Sequence, residues 1–177
     1  MPDPAAHLDT IGELAAALRE LGLQPVLVGG MALVVFGSRR VTRDFDFVIT
    51  RPGDRLTEVI SALYALRLEL VSRLNPDGDV AATIASRRVA AARLRIDRSE
   101  TAYFYNSRTG LRVDLLFDFP IAAATLAERA SRVRIGKYQL HVAGERDLLE
   151  LKKIAAARRQ APGDAEDIAF LERRLRG

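Results

Sequence analysis

The sequence predicts one α/β (α+β) domain, a mixed β-sheet flanked by helices with a mainly helical C-terminal part. Three patterns point to it. Apolar residues recur at helical spacing near the start of the chain, polar and apolar residues alternate over 43–50 and 111–117, and two helical segments close the chain. With 177 residues, 49% of them apolar, the chain can bury one sizeable core. All of 1–177 is therefore read as one domain, with the sheet and its helices over 1–120 and the mainly helical part over 121–177.

Residues 7–21 form an amphipathic helix, with Leu8, Ile11, Leu14, Ala15 and Leu18 on one face and Gly22 as its stop. Residues 24–28 are a short buried strand that ends at Gly29-Gly30, and 31–36 are a short helix. After the strand at 43–50, residues 54–71 read as a helix capped by Asp54 behind Pro52-Gly53. Asn75-Pro-Asp-Gly is a turn, and 79–92 fit either a helix or a strand. Strands follow at 94–97, 101–106 and 111–117, the last two joined by a Ser-Arg-Thr-Gly turn. Residues 121–131 are helical, 133–142 a hairpin turning at Gly136, and the two final helices are separated by Ala161-Pro162-Gly163. There is no internal repeat or low-complexity linker.

The stretch VGGMALVVFGSRRVTRDFDFVI, residues 28–49, carries the chemistry. Two glycines let the backbone turn sharply and approach a ligand closely, and the helix behind them points its free N–H groups back at that turn, which suits a polyphosphate. The same pattern is also an ordinary tight turn of α/β folds. In the following strand Asp44 and Asp46 share one face, while Phe45, Phe47 and Ile49 face the core. Paired carboxylates repel unless a cation lies between them, and hard oxygen ligands suit Mg²⁺ or Mn²⁺. Alone, the pair also fits a solvated strand face in which Asp44 and Asp46 pair with Arg40 or Arg43. A two-metal site needs a further carboxylate, and Asp114 supplies a candidate, opposite Val113, Leu115 and Phe117 on its strand. Asp118, on the core side at the strand end, reads as a cap for the turn before Pro120.

These residues give the chain a family resemblance. It resembles the nucleotidyltransferase superfamily of DNA polymerase beta, particularly the minimal nucleotidyltransferases and the abortive-infection type nucleotidyltransferase toxins of bacterial toxin–antitoxin systems. The family pattern of strand, Gly pair, short helix, Gly-x-x-Arg-x-Thr-x-Asp-x-Asp and a later Asp falls on Gly29, Gly30, Gly37, Arg40, Thr42, Asp44, Asp46 and Asp114. Near the C-terminus the likeness continues, with Lys152 matching a family Lys placed near the nucleotide phosphates and Asp164 and Asp167 matching an acidic pair. From spacing alone, one of Lys152 and Lys153 lies near the apolar boundary of its helix and the other in water.

The resemblance implies a nucleotidyltransferase fold and a metal-dependent enzyme that moves a nucleoside monophosphate from an NTP to an acceptor hydroxyl, releasing pyrophosphate. It implies Asp44, Asp46 and Asp114 as catalytic and metal-holding residues for Mg²⁺ or Mn²⁺, and Gly29, Gly30, Arg40 and Lys152 as nucleotide-binding residues. The implied acceptor is the 3′ end of tRNA, a protein hydroxyl or a small molecule such as an antibiotic, and the implied partner is a cognate antitoxin. Gly30 stands where relatives carry Ser, and Met31 where toxin relatives often carry Thr, so no side-chain hydroxyl is available there. Backbone amides, with Arg39 or Arg40, must hold the phosphate instead. That departure keeps a second class open, a catalytically silent module that binds nucleotide or RNA.

Composition narrows the classes further. The chain has no Cys, which excludes disulfides and thiolate metal sites and fits the cytoplasm, and its two His residues, His7 and His141, give little support to a zinc centre or a serine–histidine triad. Both are read as surface residues. No apolar run is long enough to span a membrane, and the polar, proline-bearing N-terminus lacks a secretory pattern. A net charge of +4 says less than its clustering: Arg39, Arg40 and Arg43; Arg87, Arg88, Arg93 and Arg95; Arg129, Arg132 and Arg134; and Lys152 to Arg159. Such groups track a phosphate backbone if they share a face, which tilts the acceptor toward tRNA, and otherwise they are solvated helix faces. Alternation sends Phe104 to one side of its strand and Tyr103 and Tyr105 to the other, a compact group read as core.

Overall fold

A computed structural model describes residues 4–159 and 161–177; the N-terminal tip, on which the reading of a missing secretory pattern partly rests, lies outside the described residues. The chain runs α1 (Pro4–Glu20), β1 (Val26–Val28), α2 (Gly29–Val35), β2 (Asp44–Ile49), α3 (Leu56–Ala65), β3 (Glu69–Leu74), β4 (Val80–Ile84) and α4 (Arg87–Asp97). It continues through β5 (Thr101–Tyr105), β6 (Arg112–Phe117), α5 (Ala123–Glu128), β7 (Ser131–Ile135), β8 (Tyr138–Val142), α6 (Glu145–Arg158) and α7 (Asp164–Arg176). The strands form one eight-stranded sheet in the order β4-β3-β5-β6-β2-β1-β8-β7. β2 pairs with β6 in parallel, as β1 does with β8, while the other pairs are antiparallel, so the sheet is mixed.

Alternation along the central strands decides which face is covered. Phe45, Phe47, Val113, Leu115 and Phe104 are buried on one side, where α1 contacts α3 and α3 contacts α4. Ile11, Leu14, Ala15 and Leu18 of α1 are fully or almost fully buried, as their spacing predicts, and Gly22 ends the turn after the helix at a φ of +76°. On the other side α2 contacts β1, β2 and α6, and α6 packs along α7. At about 25 cal/mol for each Å² of apolar surface removed from water, burying such side chains is the main stabilising term of the domain.

Four elements differ from their sequence reading. The helix expected over 54–71 ends at Ala65, because Arg67 takes the left-handed conformation with a φ of +59° and β3 begins at Glu69. Tyr64 secures that break: its hydroxyl donates to the Ile84 carbonyl at 2.5 Å and accepts from Leu70 N–H at 3.1 Å, and pairing with β4 and β5 outweighs local helix propensity. Asp54 does not cap α3; it lies in a 3-10 turn, Gly53–Arg55, and the N-cap is Arg55. The ambiguous stretch 79–92 contains both a strand and a helix start, with Ser86 as N-cap accepting from Val89 N–H at 3.4 Å. The strand expected at 94–97 is instead the last turn of α4, where Leu94 is buried at helical spacing from Ala90 and Ala91. The helix expected over 121–131 stops at Glu128, and Ser131 already belongs to β7.

Residues 121–177 are helical over α5, α6 and α7, yet they also give β7 and β8 to the common sheet through the Leu27–Val142 pairing. Asp118 acts in a turn as expected: its carboxylate accepts from Arg51 N–H at 2.8 Å and Ala123 N–H at 2.9 Å. Neither His is a freely exposed surface residue. His141 is half-buried, and His7 Nε2 lies 2.9 Å from the Thr109 carbonyl.

Candidate active site

The parallel register of β2 and β6 sets Asp46 directly beside Asp114, and Asp44 beside Arg112. Because side chains alternate along a strand, all of these lie on the face opposite the Phe45 and Val113 core side. The three carboxylates therefore form a cluster that spans three residues of β2 and two adjacent strands. Asp44 Oδ1 and Asp114 Oδ1 are buried and have no hydrogen-bond partner. The carboxylates stand side by side without converging, and among the described residues no three acidic or His side chains already enclose a point for an ion.

This crowding is paid in protonation behaviour. Burial, reinforced by Asp46 and Asp44, pushes the Asp114 carboxyl up to about 8, and burial together with Asp44 pushes Asp46 up to about 6. Lys152, Arg159 and Arg40 pull Asp46 the other way, so cations already lie around that carboxylate.

Those cations are held by the C-terminal helices. Lys152 of α6, almost buried, has its Nζ 2.8 Å from Asp167 Oδ2 and 3.8 Å from Asp164 Oδ1. Arg40 donates to the same Asp167 oxygen, and Arg159 Nε lies 3.6 Å from Asp164 Oδ2. Lys153, its neighbour, is exposed beside Glu172, so the two lysines divide as helical spacing predicts. The Gly pair fits tightly into this arrangement. At Gly29, which has a φ of +69°, an added Cβ would overlap Asp46 Oδ2, and at Gly30 it would stand 3.0 Å from the Arg40 guanidinium carbon.

A cavity of about 290 Å³ opens over Asp46 and Asp114, at the small end of ligand-site volumes. Gly29, Lys152 and Arg159 line its polar part; Leu116, Phe119, Leu151 and Ala155 line an apolar part. Arg158 stacks 5.0 Å from the centre of the Phe119 ring at the rim.

A family model for the nucleotidyl transferase AbiEii toxin of type IV toxin–antitoxin systems matches residues 14–176. The chain belongs to the AbiEii family. It is accordingly a nucleotidyl-transferring enzyme of a toxin family, and the mixed-sheet nucleotidyltransferase fold read from the sequence is the one observed. Its fold is similar to that of the antibiotic-resistance factor ANT(2'')-Ia in solution, at 13% identity and a TM-score of 0.58, covering 96% of this chain and 84% of the other. It is also similar to the lincomycin-bound lincosamide antibiotic adenylyltransferase LnuA, at 12% identity and a TM-score of 0.58, covering 97% and 98%. A third similar structure is the polyadenylate synthase of Megavirus, at 11% identity and a TM-score of 0.52, covering 94% of this chain and 30% of the other. No curated protein matches the chain.

In this AbiEii-family chain the sequence-predicted residues lie together: Asp44, Asp46 and Asp114 on one sheet face, Gly29 against Asp46, Gly30 against Arg40, and Lys152 beside Asp46. The basic groups do not share that site. Arg40, Lys152 and Arg159 reach it, Arg87, Arg88, Arg93 and Arg95 lie on α4 across the sheet, and Arg129 is held by Asp147 at 2.6 Å. The sequence marks Lys152 of α6 but not how the helix's apolar side walls the cavity, nor Phe119, and the reading of Tyr103 and Tyr105 as core does not hold. Their alternation with the buried Phe104 was the signal that they share the carboxylate face. Among the described residues no helix is long and apolar enough to cross a membrane.

Proposed function

We propose that this protein moves a nucleoside monophosphate from an NTP to an acceptor hydroxyl with divalent metal at Asp44, Asp46 and Asp114, and that the acceptor is the 3′ end of tRNA. One observation carries the metal-dependent transfer: Asp46 and Asp114 stand in register on adjacent strands, and Asp44 Oδ1 and Asp114 Oδ1 are buried with no protein donor to satisfy them. A hard cation fits this donor set, since three carboxylates offer only oxygen ligands and their mutual repulsion is relieved by positive charge. When bound, Mg²⁺ or Mn²⁺ neutralises phosphate charge and acidifies the attacking hydroxyl.

The chain's own residues do the rest. The NTP lies in the cavity, with its phosphates toward Gly29, Gly30, Lys152 and Arg40 and its base toward Leu116, Phe119 and Leu151. Asp114 takes the proton from the acceptor hydroxyl as that oxygen bonds to the α-phosphorus, and the bond from the α-phosphorus to the leaving oxygen breaks to release pyrophosphate. Lys152 and Arg40 balance the charge on the departing pyrophosphate from fixed positions, so little reorganisation is needed during the reaction. Without a hydroxyl at Gly30 or Met31, backbone amides of the Gly turn hold the phosphates. Membership of a toxin–antitoxin family supports a cognate antitoxin as partner, and a cytoplasmic site of action follows from tRNA as acceptor.

The test is to incubate the purified protein and its Asp46→Ala variant with Mg²⁺, each labelled NTP in turn, a total tRNA pool and a protein lysate. Label on tRNA with the parent protein alone supports the reading and names the base. Label on protein moves the acceptor to a protein hydroxyl. Label on neither, with Mn²⁺ also tried, removes macromolecular acceptors and leaves a small molecule or a silent nucleotide-binding module.

A further inference from the structure

The carboxylate face of the sheet does not stop at Asp114. In the next strand Tyr103 stands in register with Asp114, and Tyr105 with Arg112. Tyr103 and Tyr105 are partly exposed, while Ala102 before them and Phe104 between them are buried on the other face. The Arg112 guanidinium stacks 6.0 Å from the centre of the Tyr105 ring and also lies beside the Tyr103 hydroxyl. Two rings thus follow each other along one strand at a spacing of about 7 Å, beginning one strand away from the carboxylates.

Such a patch is ill suited to a core role and well suited to flat ligands. Tyrosines on an open sheet face, joined by an Arg plane, are how proteins stack unpaired bases, which lack the constraint of a duplex. The surrounding charge complements a phosphate chain: Arg43 is exposed just before Asp44, Arg108 is exposed in the turn after Tyr105, and among the described residues neither pairs with an acidic group. Besides Asp44 and Asp114 of the carboxylate row, two acidic groups border the patch and both are engaged, Glu69 by the Thr83 hydroxyl at 2.5 Å and Asp79 by Arg112 at 3.1 Å.

We propose that Tyr103, Tyr105 and Arg112 form a stacking platform for the unpaired terminal bases of a nucleic-acid acceptor, which presents the acceptor's 3′ hydroxyl to Asp114. The proposal rests on the nucleotidyl-transfer reading above and adds where the acceptor lies. It also assigns the two sides of the carboxylate row. The NTP occupies the α6 side, near Leu116 and Phe119, and the acceptor approaches from the β5 side.

The test measures binding of a labelled single-stranded RNA 12-mer ending in CCA, and of a blunt RNA duplex, by fluorescence anisotropy without NTP. Tyr103→Ala and Tyr105→Ala are each expected to weaken single-strand binding at least about 5-fold, Tyr103→Phe to keep it, and the duplex to bind more weakly. Affinity for NTP with Mg²⁺, measured by calorimetry on the same variants, is expected to hold, which separates lost stacking from a damaged fold. Unchanged single-strand binding in both Tyr→Ala variants overturns the platform, as does preference for the duplex. If Asp46→Ala stops transfer while the Tyr→Ala variants transfer to the same RNA with unchanged KM, the platform fails alone. If Asp46→Ala leaves transfer intact, the catalytic reading fails.

Discussion

Lys152 Nζ lies 2.8 Å from Asp167 Oδ2, an oxygen that Arg40 shares, so one carboxylate of α7 fixes two cations from opposite ends of the chain. Both Lys152 and Asp167 are nearly buried, which makes the loss of either partner expensive. Asp167→Ala is expected to cost about 3 kcal/mol in urea unfolding, because Lys152 keeps only the longer contact to Asp164. A stability unchanged within about 0.5 kcal/mol would show that water replaces the pair.

Losing one carboxylate of the row should remove turnover without unfolding the protein. Asp46→Asn and Asp114→Asn are each expected to lower kcat by at least about 10³-fold, equivalent to about 4 kcal/mol of transition-state stabilisation. Circular dichroism should remain that of the parent. Near-normal transfer by either variant would remove it from the catalytic group.

The raised carboxyls also make a prediction about pH. In metal-free protein Asp114 is held up at about 8 and Asp46 at about 6, so the folded state binds more protons than the unfolded state between about pH 4 and 8. Their contribution is therefore neutral below that window and destabilising above it, with stability falling as pH rises. Asp114→Asn is expected to raise the metal-free Tm at pH 8 and change it little at pH 4. The gain in Tm on adding Mg²⁺ should be larger at pH 8 than at pH 5.5, since deprotonated carboxylates bind the ion. Equal Mg²⁺ gains at both pH values would contradict the assignment.

The two glycines should respond differently to a methyl group. Gly29→Ala meets Asp46 Oδ2 and a φ of +69°, so it is expected to cost about 1–2 kcal/mol of stability and nearly all activity. Gly30→Ala meets only the flexible end of Arg40, and is expected to raise the KM for NTP with a smaller loss of stability. Thermal unfolding and steady-state kinetics of both variants check the difference.

Much of the site was legible because it is local. The alternation in DFDF and VDLLF fixes which way Asp44, Asp46 and Asp114 point, and the Gly pair marks a sharp turn whatever the rest of the chain does. The β3 strand was not legible, since 54–71 keep a helical apolar pattern and the break at Arg67 uses a left-handed residue that is not Gly. The same holds for 94–97, where alternation of Arg with apolar residues mimics a strand inside a helix. Asp167 was visible as a motif position, but its grip on Arg40 spans 127 residues and belongs to tertiary packing alone.

That long span bears on the order in which the site is assembled during synthesis. Sheet strands β1 and β2 leave the ribosome early, carrying the Gly turn and two of the three carboxylates, whereas the anion that steadies Arg40 and Lys152 arrives only with α7. A nascent chain interrupted before α7 carries an acidic row without its organised cations. In this member of a toxin family, organising the cations beside the carboxylate row therefore waits on α7.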